Sequence, residues 1–271
     1  MMSGQTTQSP RMLEDMRIKW RDGLIETIQS GGITGGNWGA ETADRKSFFT
    51  LTDTAFGCRV TDISSNATAA GFVRRIQADM AEGKWTLDIE TKAVQDKITI
   101  TQHLTCEEPS VFQDYVMRFK FDKESFDHGV ISGKQIIHKN TNIWYQFPVR
   151  QARLCGKHGS VIFTVIDSIT QEKFSQQLYI RDEPRFWIVH ARLIPAEPCD
   201  LYWIRWTNRC FRMSLSDGWS RRILAWNWAK KKLWFLAERR GGKPQLQAQG
   251  LAVLQPGQVL KLCVEVNFAC E

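Results

Sequence analysis

Three stretches of this chain carry residue types that could do chemistry. The first is Phe186-Trp187-Ile188-Val189-His190-Ala191-Arg192-Leu193. Laid out as a β-strand, Trp187, Val189, Ala191 and Leu193 share one face, and Phe186, Ile188, His190 and Arg192 share the other. The second face is only half apolar, which suits a binding surface better than a sealed core. A histidine beside an arginine can hold an acidic sugar, the guanidinium pairing with its carboxylate through two parallel N–H donors. The alternative is a partly buried histidine bonded to a neighbouring backbone group.

The second stretch runs from Gln135 to Arg150 and packs His138, Tyr145, several amides and the cations Lys139 and Arg150 into sixteen residues. With Lys139 to Asn142 read as a turn, His138 closes one strand and Tyr145 opens the next. A histidine and a tyrosine so placed can serve as base and acid in proton abstraction beside a carboxylate, with Arg150 a further cation for the substrate. The competing reading is a hairpin whose polar residues face water.

The third is Asp217-Gly218-Trp219-Ser220-Arg221-Arg222, a turn bearing an indole and two guanidiniums. Loops set by a rigid sheet often supply ligand contacts. The apolar face of a sugar ring can lie against Trp219 while Arg221 pairs with its polar groups. Trp203 and Arg205 extend the same pattern upstream. Asp114 and Glu238 are candidate carboxylates, although each reads at least as well as the partner of an arginine. A paired-carboxylate glycosidase needs a defined separation that sequence does not supply.

These groups fall largely within Arg185 to Arg240, which holds seven of the eleven tryptophans and twelve basic residues against four acids. That local +8 exceeds the +7 of the whole chain. A cationic, indole-rich surface concentrates anions and offers flat rings for stacking. Alternatively, several tryptophans belong to the core or to a subunit interface in a homo-oligomer, and the charge serves solubility.

The elements that must position these residues are strands. Period-two alternation marks Phe48 to Thr54, Cys58 to Ile63, Trp85 to Ile89, Ile98 to Leu104, Asp114 to Phe121, Val130 to His138 and Ile143 to Arg150. It continues at Val161 to Ile166, Phe174 to Arg181 and Phe186 to Leu193. Leu201 to Thr207, Cys210 to Leu215, Ile223 to Trp228 and Leu233 to Arg239 follow, and Leu260 to Phe268 is the cleanest. Residues 68 to 82 fit a helical stripe or one arm of a hairpin, and the strand that follows favours the hairpin. In Asp114 to Phe121 the even-numbered face reads as meeting water. The glycine-dense Ser30 to Gly39 lacks the Lys-Ser/Thr pair and following helix of a phosphate loop, and reads as a flexible surface loop.

A dozen or more closely spaced strands, no βαβ rhythm and no linker predict an all-β fold with few helices. We expect a single large antiparallel β-sandwich over residues 15–271 behind a flexible tail at 1–14. Seven scattered cysteines without a CxxC or zinc spacing point to a reduced protein with no metal and no cofactor. If this is the whole gene product, the polar amino terminus and the lack of a long apolar run lead us to expect a cytoplasmic protein without membrane contact.

The many-stranded pattern over residues 45 to 270 resembles the galactose-mutarotase-like β-supersandwich group. His138, His190 and Arg192 on strands, and the Leu254-Gln255-Pro256-Gly257-Gln258 turn before the last strand, carry the likeness. That group includes sugar epimerases and the sandwich domains of polysaccharide lyases and hydrolases. The resemblance implies a supersandwich acting on carbohydrate. The expected function is therefore a lyase- or epimerase-like enzyme for an acidic sugar or anionic polysaccharide. His190, His138 and Tyr145 would move protons, and Arg192, Trp203, Arg205, Trp219, Arg221 and Arg150 would bind the substrate. A non-catalytic glycan-binding sandwich is the alternative. Single-stranded nucleic acid, which also pairs stacking rings with cations, ranks third because no RRM, KH or zinc-finger pattern is present.

Overall fold

Alternating side chains put apolar residues on one face of a strand, and two such faces bury each other. In the computed structural model of this chain they form two large stacked antiparallel sheets, with Ser110–Phe112 and Ala252–Leu254 pairing as a separate two-stranded one. The structure describes residues 16–44, 46–53, 55, 57–138, 144–170, 174–195 and 252–269. The strands are, in order, β1 (Arg17–Arg21), β2 (Leu24–Ser30), β3 (Ile33–Gly36), β4 (Gly39–Ala43), β5 (Phe48–Thr50), β6 (Arg59–Thr68) and β7 (Gly71–Met80). Next come β8 (Gly83–Val94), β9 (Lys97–Cys106), β10 (Ser110–Phe112), β11 (Asp114–Asp122), β12 (His128–Ile131) and β13 (Lys134–Ile137). The series ends with β14 (Trp144–Phe147), β15 (Gln151–Gly156), β16 (Gly159–Ile169), β17 (Phe174–Asp182), β18 (Phe186–Pro195), β19 (Ala252–Leu254) and β20 (Val259–Ala269). Among the described residues a 3-10 turn at Lys123–Ser125 is the sole helical element.

One nine-stranded sheet runs β1-β2-β3-β11-β18-β17-β14, with β4 also on β11 and β5 on β4; the other runs β13-β12-β15-β16-β20-β9-β8-β7-β6. Between them lies an aromatic seam. Phe119 meets Phe163 at 5.2 Å between ring centroids, Phe121 meets Phe163 at 5.8 Å and Phe268 at 6.3 Å, and Trp38 stands edge-on to Phe119 at 5.1 Å. Trp187, Val189, Ala191 and Leu193 join this core fully buried, each contributing on the order of 1–3 kcal/mol according to its size. All-β antiparallel sandwich architecture is thus what the alternation dictates. The strand at residues 71–80 also confirms the hairpin reading of 68 to 82.

Some expectations change. Ser30 to Gly39 is not a flexible loop. Gly31 and Gly32 form a two-residue hairpin turn at φ 54° and 91°, and the chain continues directly into β3 and β4. Such a turn needs positive φ at both positions, which glycine supplies at no steric cost. Val130 to His138 is not one strand but two, folded at Ser132-Gly133 with φ 51° and 72°. β15 had no expectation of its own. Most importantly, β13 and β14 are not a hairpin: β13 edges one sheet and β14 edges the other. The strands anticipated between Leu201 and Arg239, and the tail at 1–14, lie outside the described residues.

Candidate active site

The face of β18 that turns away from the sandwich core carries Ile188, His190 and Arg192. In-register neighbours on adjacent strands share a face, about 5 Å apart. His190 pairs with Arg118 of β11 on one side and with Tyr179 of β17 on the other, and Tyr179 in turn pairs with Gln146 of β14. One row therefore reads Arg118–His190–Tyr179–Gln146 across four strands. A second row reads Glu41–Val116–Arg192–Gln177.

This face is buried despite its polarity. Arg118 is 6% exposed, His190 5%, Arg192 3% and Tyr179 3%. The expectation that the Arg118 face of β11 meets water is therefore wrong; ion pairs compensate its burial. Arg118 donates through Nη1 to Glu41 and Asp53 and through Nη2 to Thr52. Gly39, its register partner on β4, makes room for this clamp, since a Cβ there would stand 2.8 Å from the Thr52 methyl. Arg192 donates through Nη2 to Asp114 and through Nη1 to Gln146 Oε1 at 2.8 Å. Asp114 is thus an arginine partner, one of the two readings the sequence allowed. Arg181 lies 3.4 Å from Glu183.

At the centre, Tyr179 and His190 pack as tilted rings with centroids 4.3 Å apart, and the guanidinium carbon of Arg192 lies 5.2 Å from the Tyr179 ring centre. Burial, and then the positive charges of Arg192, Arg118 and Arg181, hold the His190 imidazole well below its ordinary value. Burial likewise lifts the Tyr179 phenol well above its own, so both members of the pair are neutral at physiological pH. Burial raises the Glu41 carboxyl against the pull of Arg118. The result is a neutral donor–acceptor pair beside a carboxyl tuned upward, the kind of separation that assigns acid and base roles.

Of the anticipated site residues, the structure brings His190 and Arg192 together and parts them from His138 and Tyr145. His138 packs edge-on against Trp187, centroids 5.0 Å apart, on the core side of β18. Tyr145 is opposite Ile180 and packs on the core, while its neighbour Gln146 faces the polar row. The expected grouping of His138 and Tyr145 with His190 is corrected by strand parity: residues one position apart face opposite sides. Arg150 is exposed ahead of β15, where its carbonyl accepts from the Val165 amide. Trp203, Arg205, Trp219 and Arg221 lie outside the described residues, as do Glu238 and the Lys139 to Asn142 turn.

Sequence reasoning missed Tyr179, Gln146, Gln177, Glu41 and Arg118 as site residues. For Arg118, Gln177 and Tyr179 the available signal was the alternating polar face of β17 (Ser175, Gln177, Tyr179, Arg181) and, Val116 apart, of β11 (Asp114, Arg118, Lys120, Asp122). Among the described residues no cluster of three His, Cys, Asp or Glu could hold a metal ion, and no helix is long and apolar enough to cross a membrane.

No protein-family model matches this chain, and no curated protein matches it. Solved structures do. A galactose mutarotase-like protein from Lactobacillus casei is 10% identical, with 96% of this chain and 100% of that one covered and a TM-score of 0.47. The Slr1438 protein from Synechocystis sp. PCC 6803 is 10% identical over 100% of both chains, with a TM-score of 0.46. A putative aldose 1-epimerase from Escherichia coli K12 is 8% identical, covering 79% of this chain and 69% of that one, with a TM-score of 0.41.

Proposed function

We propose that this chain is a carbohydrate-active protein of the epimerase or lyase type, and that it seats a sugar on the Arg118–His190–Tyr179–Gln146 row. The observation that carries this reading is the neutral His190–Tyr179 pair set among three guanidiniums. A neutral imidazole there has a lone pair to accept a proton. Its protonated form, crowded by Arg192, Arg118 and Arg181, returns that proton readily. Glu41, its carboxyl raised by burial against the pull of Arg118, is the complementary proton-exchanging group. Tyr179, protonated throughout, donates or accepts a hydrogen bond without changing charge.

The charge on this face favours an uncharged sugar. Arg118 already faces Glu41 and Asp53, Arg192 faces Asp114 and Arg181 faces Glu183. A substrate carboxylate would have to displace one of these partners. The acidic-sugar reading draws instead on the +8 of Arg185 to Arg240, with Arg205 and Arg221 as the receiving cations.

Tryptophan fluorescence titrations with D-galactose, D-glucuronate and a polyuronate separate these readings, with single-stranded RNA as competitor. Sugar turnover is followed by polarimetry. His190→Gln abolishes turnover while binding persists if the protein is an enzyme. Equal turnover in wild type and His190→Gln sinks the catalytic assignment. Binding of RNA but of no sugar sinks the whole reading.

A further inference from the structure

We infer that the Nε–H of Arg118 and the Nε2–H of Gln146 are the ligand-directed donors of this face, and that they decide which sugar hydroxyls it accepts. The inference rests on the sugar reading above and adds specificity residues to it. Arg118 uses both Nη nitrogens within the protein, but its Nε is buried with no hydrogen-bond partner among the described residues. Gln146 is oriented by Arg192, whose Nη1 requires the amide oxygen as acceptor, so the amide nitrogen points elsewhere. That Nε2 is also buried and without a partner among the described residues.

Buried N–H groups left unmatched are rare in folded proteins because each has given up water for nothing. Here two of them stand at opposite ends of one row, with His190 and Tyr179 between. Both are donors, so the complementary ligand supplies oxygen lone pairs at two places and places a third polar group over the His–Tyr pair. Hydroxyl and ring oxygens of a pyranose meet that demand without adding charge. A site built to bond a particular hydroxyl rejects the analogue lacking it far more strongly than an apolar pocket rejects a change of shape. Arg118 and Gln146 are therefore specificity-determining residues, separate from any proton-moving role of His190.

The test uses the full chain, D-galactose, D-glucose, D-glucuronate and their monodeoxy analogues, and titration calorimetry. Gln146→Glu keeps an oxygen for Arg192 and replaces the free donor by an acceptor. Arg118→Lys keeps a cation for Glu41 and Asp53 and removes the Nε–H. Each variant is expected to weaken the sugar that wild type binds by about tenfold or more, the scale of one well-made hydrogen bond. One deoxy analogue should bind wild type about tenfold more weakly than its parent, yet bind Gln146→Glu no more weakly than the parent does. Wild-type affinity in both variants, alongside lost turnover with retained binding in His190→Gln, overturns the donor assignment and leaves the sugar reading standing. No binding of any of the three sugars by wild type overturns both.

Discussion

The hydroxyl of Tyr179 lies 3.4 Å from Nε2 of His190, with the two rings inclined at 44° and their centres 4.3 Å apart. The contact joins two buried groups whose proton affinities have been pushed in opposite directions. Tyr179 holds its proton more tightly than a free phenol, and His190 takes one up less readily than a free imidazole. Both effects start from removal from water.

Stability should therefore depend on pH through His190. Its folded pKa is lowered below the ordinary 6.5, so between those two values the unfolded chain binds the extra proton and the folded one does not. Stability rises with pH across that window, by up to about 1.4 kcal/mol per pH unit. It is fully present above 6.5 and is lost as pH falls. Glu41, raised from 4.5, acts with the opposite sign above its unfolded value. Denaturant unfolding from pH 7.5 to 5 should show the loss, and His190→Gln should flatten it. An unchanged slope in that variant would remove His190 as the source.

Arg118 should be the costliest single truncation on this face. Arg118→Met leaves the mostly buried Glu41 without its cation, and removal of one partner of a buried pair costs about 3–5 kcal/mol. The half-exposed Asp53 contributes little to that loss. Adding Glu41→Gln should restore a substantial part of the stability, because the double variant leaves no uncompensated charge. Chemical denaturation of the two single variants and the double one closes the cycle. Additive losses would show that the two side chains do not interact.

Cysteine chemistry gives a third check. Burial pushes the Cys106 thiol up to about 11, so almost none of it is thiolate at pH 8. Cys58 is only partly buried. Brief iodoacetamide treatment of the native protein, mapped by peptide mass spectrometry, should label Cys58 well ahead of Cys106. In denaturant the two should react alike. Early labelling of Cys106 would contradict its placement on β9 against the core.

The period of the side chains was enough to read the strands and the two faces of β18 from the sequence. Trp187, Val189, Ala191 and Leu193 are core, and His190 and Arg192 lie together on the other side. What brings Arg118, Tyr179 and Gln146 to His190 is register between strands up to seventy-odd residues apart, and no local pattern encodes it. The same limit explains His138 and Tyr145. They are close in sequence, yet the chain passes from one sheet to the other between them, and parity then turns both towards the core. The burial of the Arg118 face was hidden for a related reason: alternation reports that two faces differ, not that the polar one meets solvent. Its carboxylate partners Glu41 and Asp53 come from strand β4 and the turn after β5.

Strand β20, residues Val259–Ala269, lies between β16 and β9 rather than at the rim of its sheet. During synthesis the β6–β9 meander must wait some 150 residues for its neighbour, holding open an edge that would template pairing with other chains. Loss of those eleven residues would thus split a sheet down its middle, and a ribosome stalled short of them would present a half-built protein in need of a chaperone.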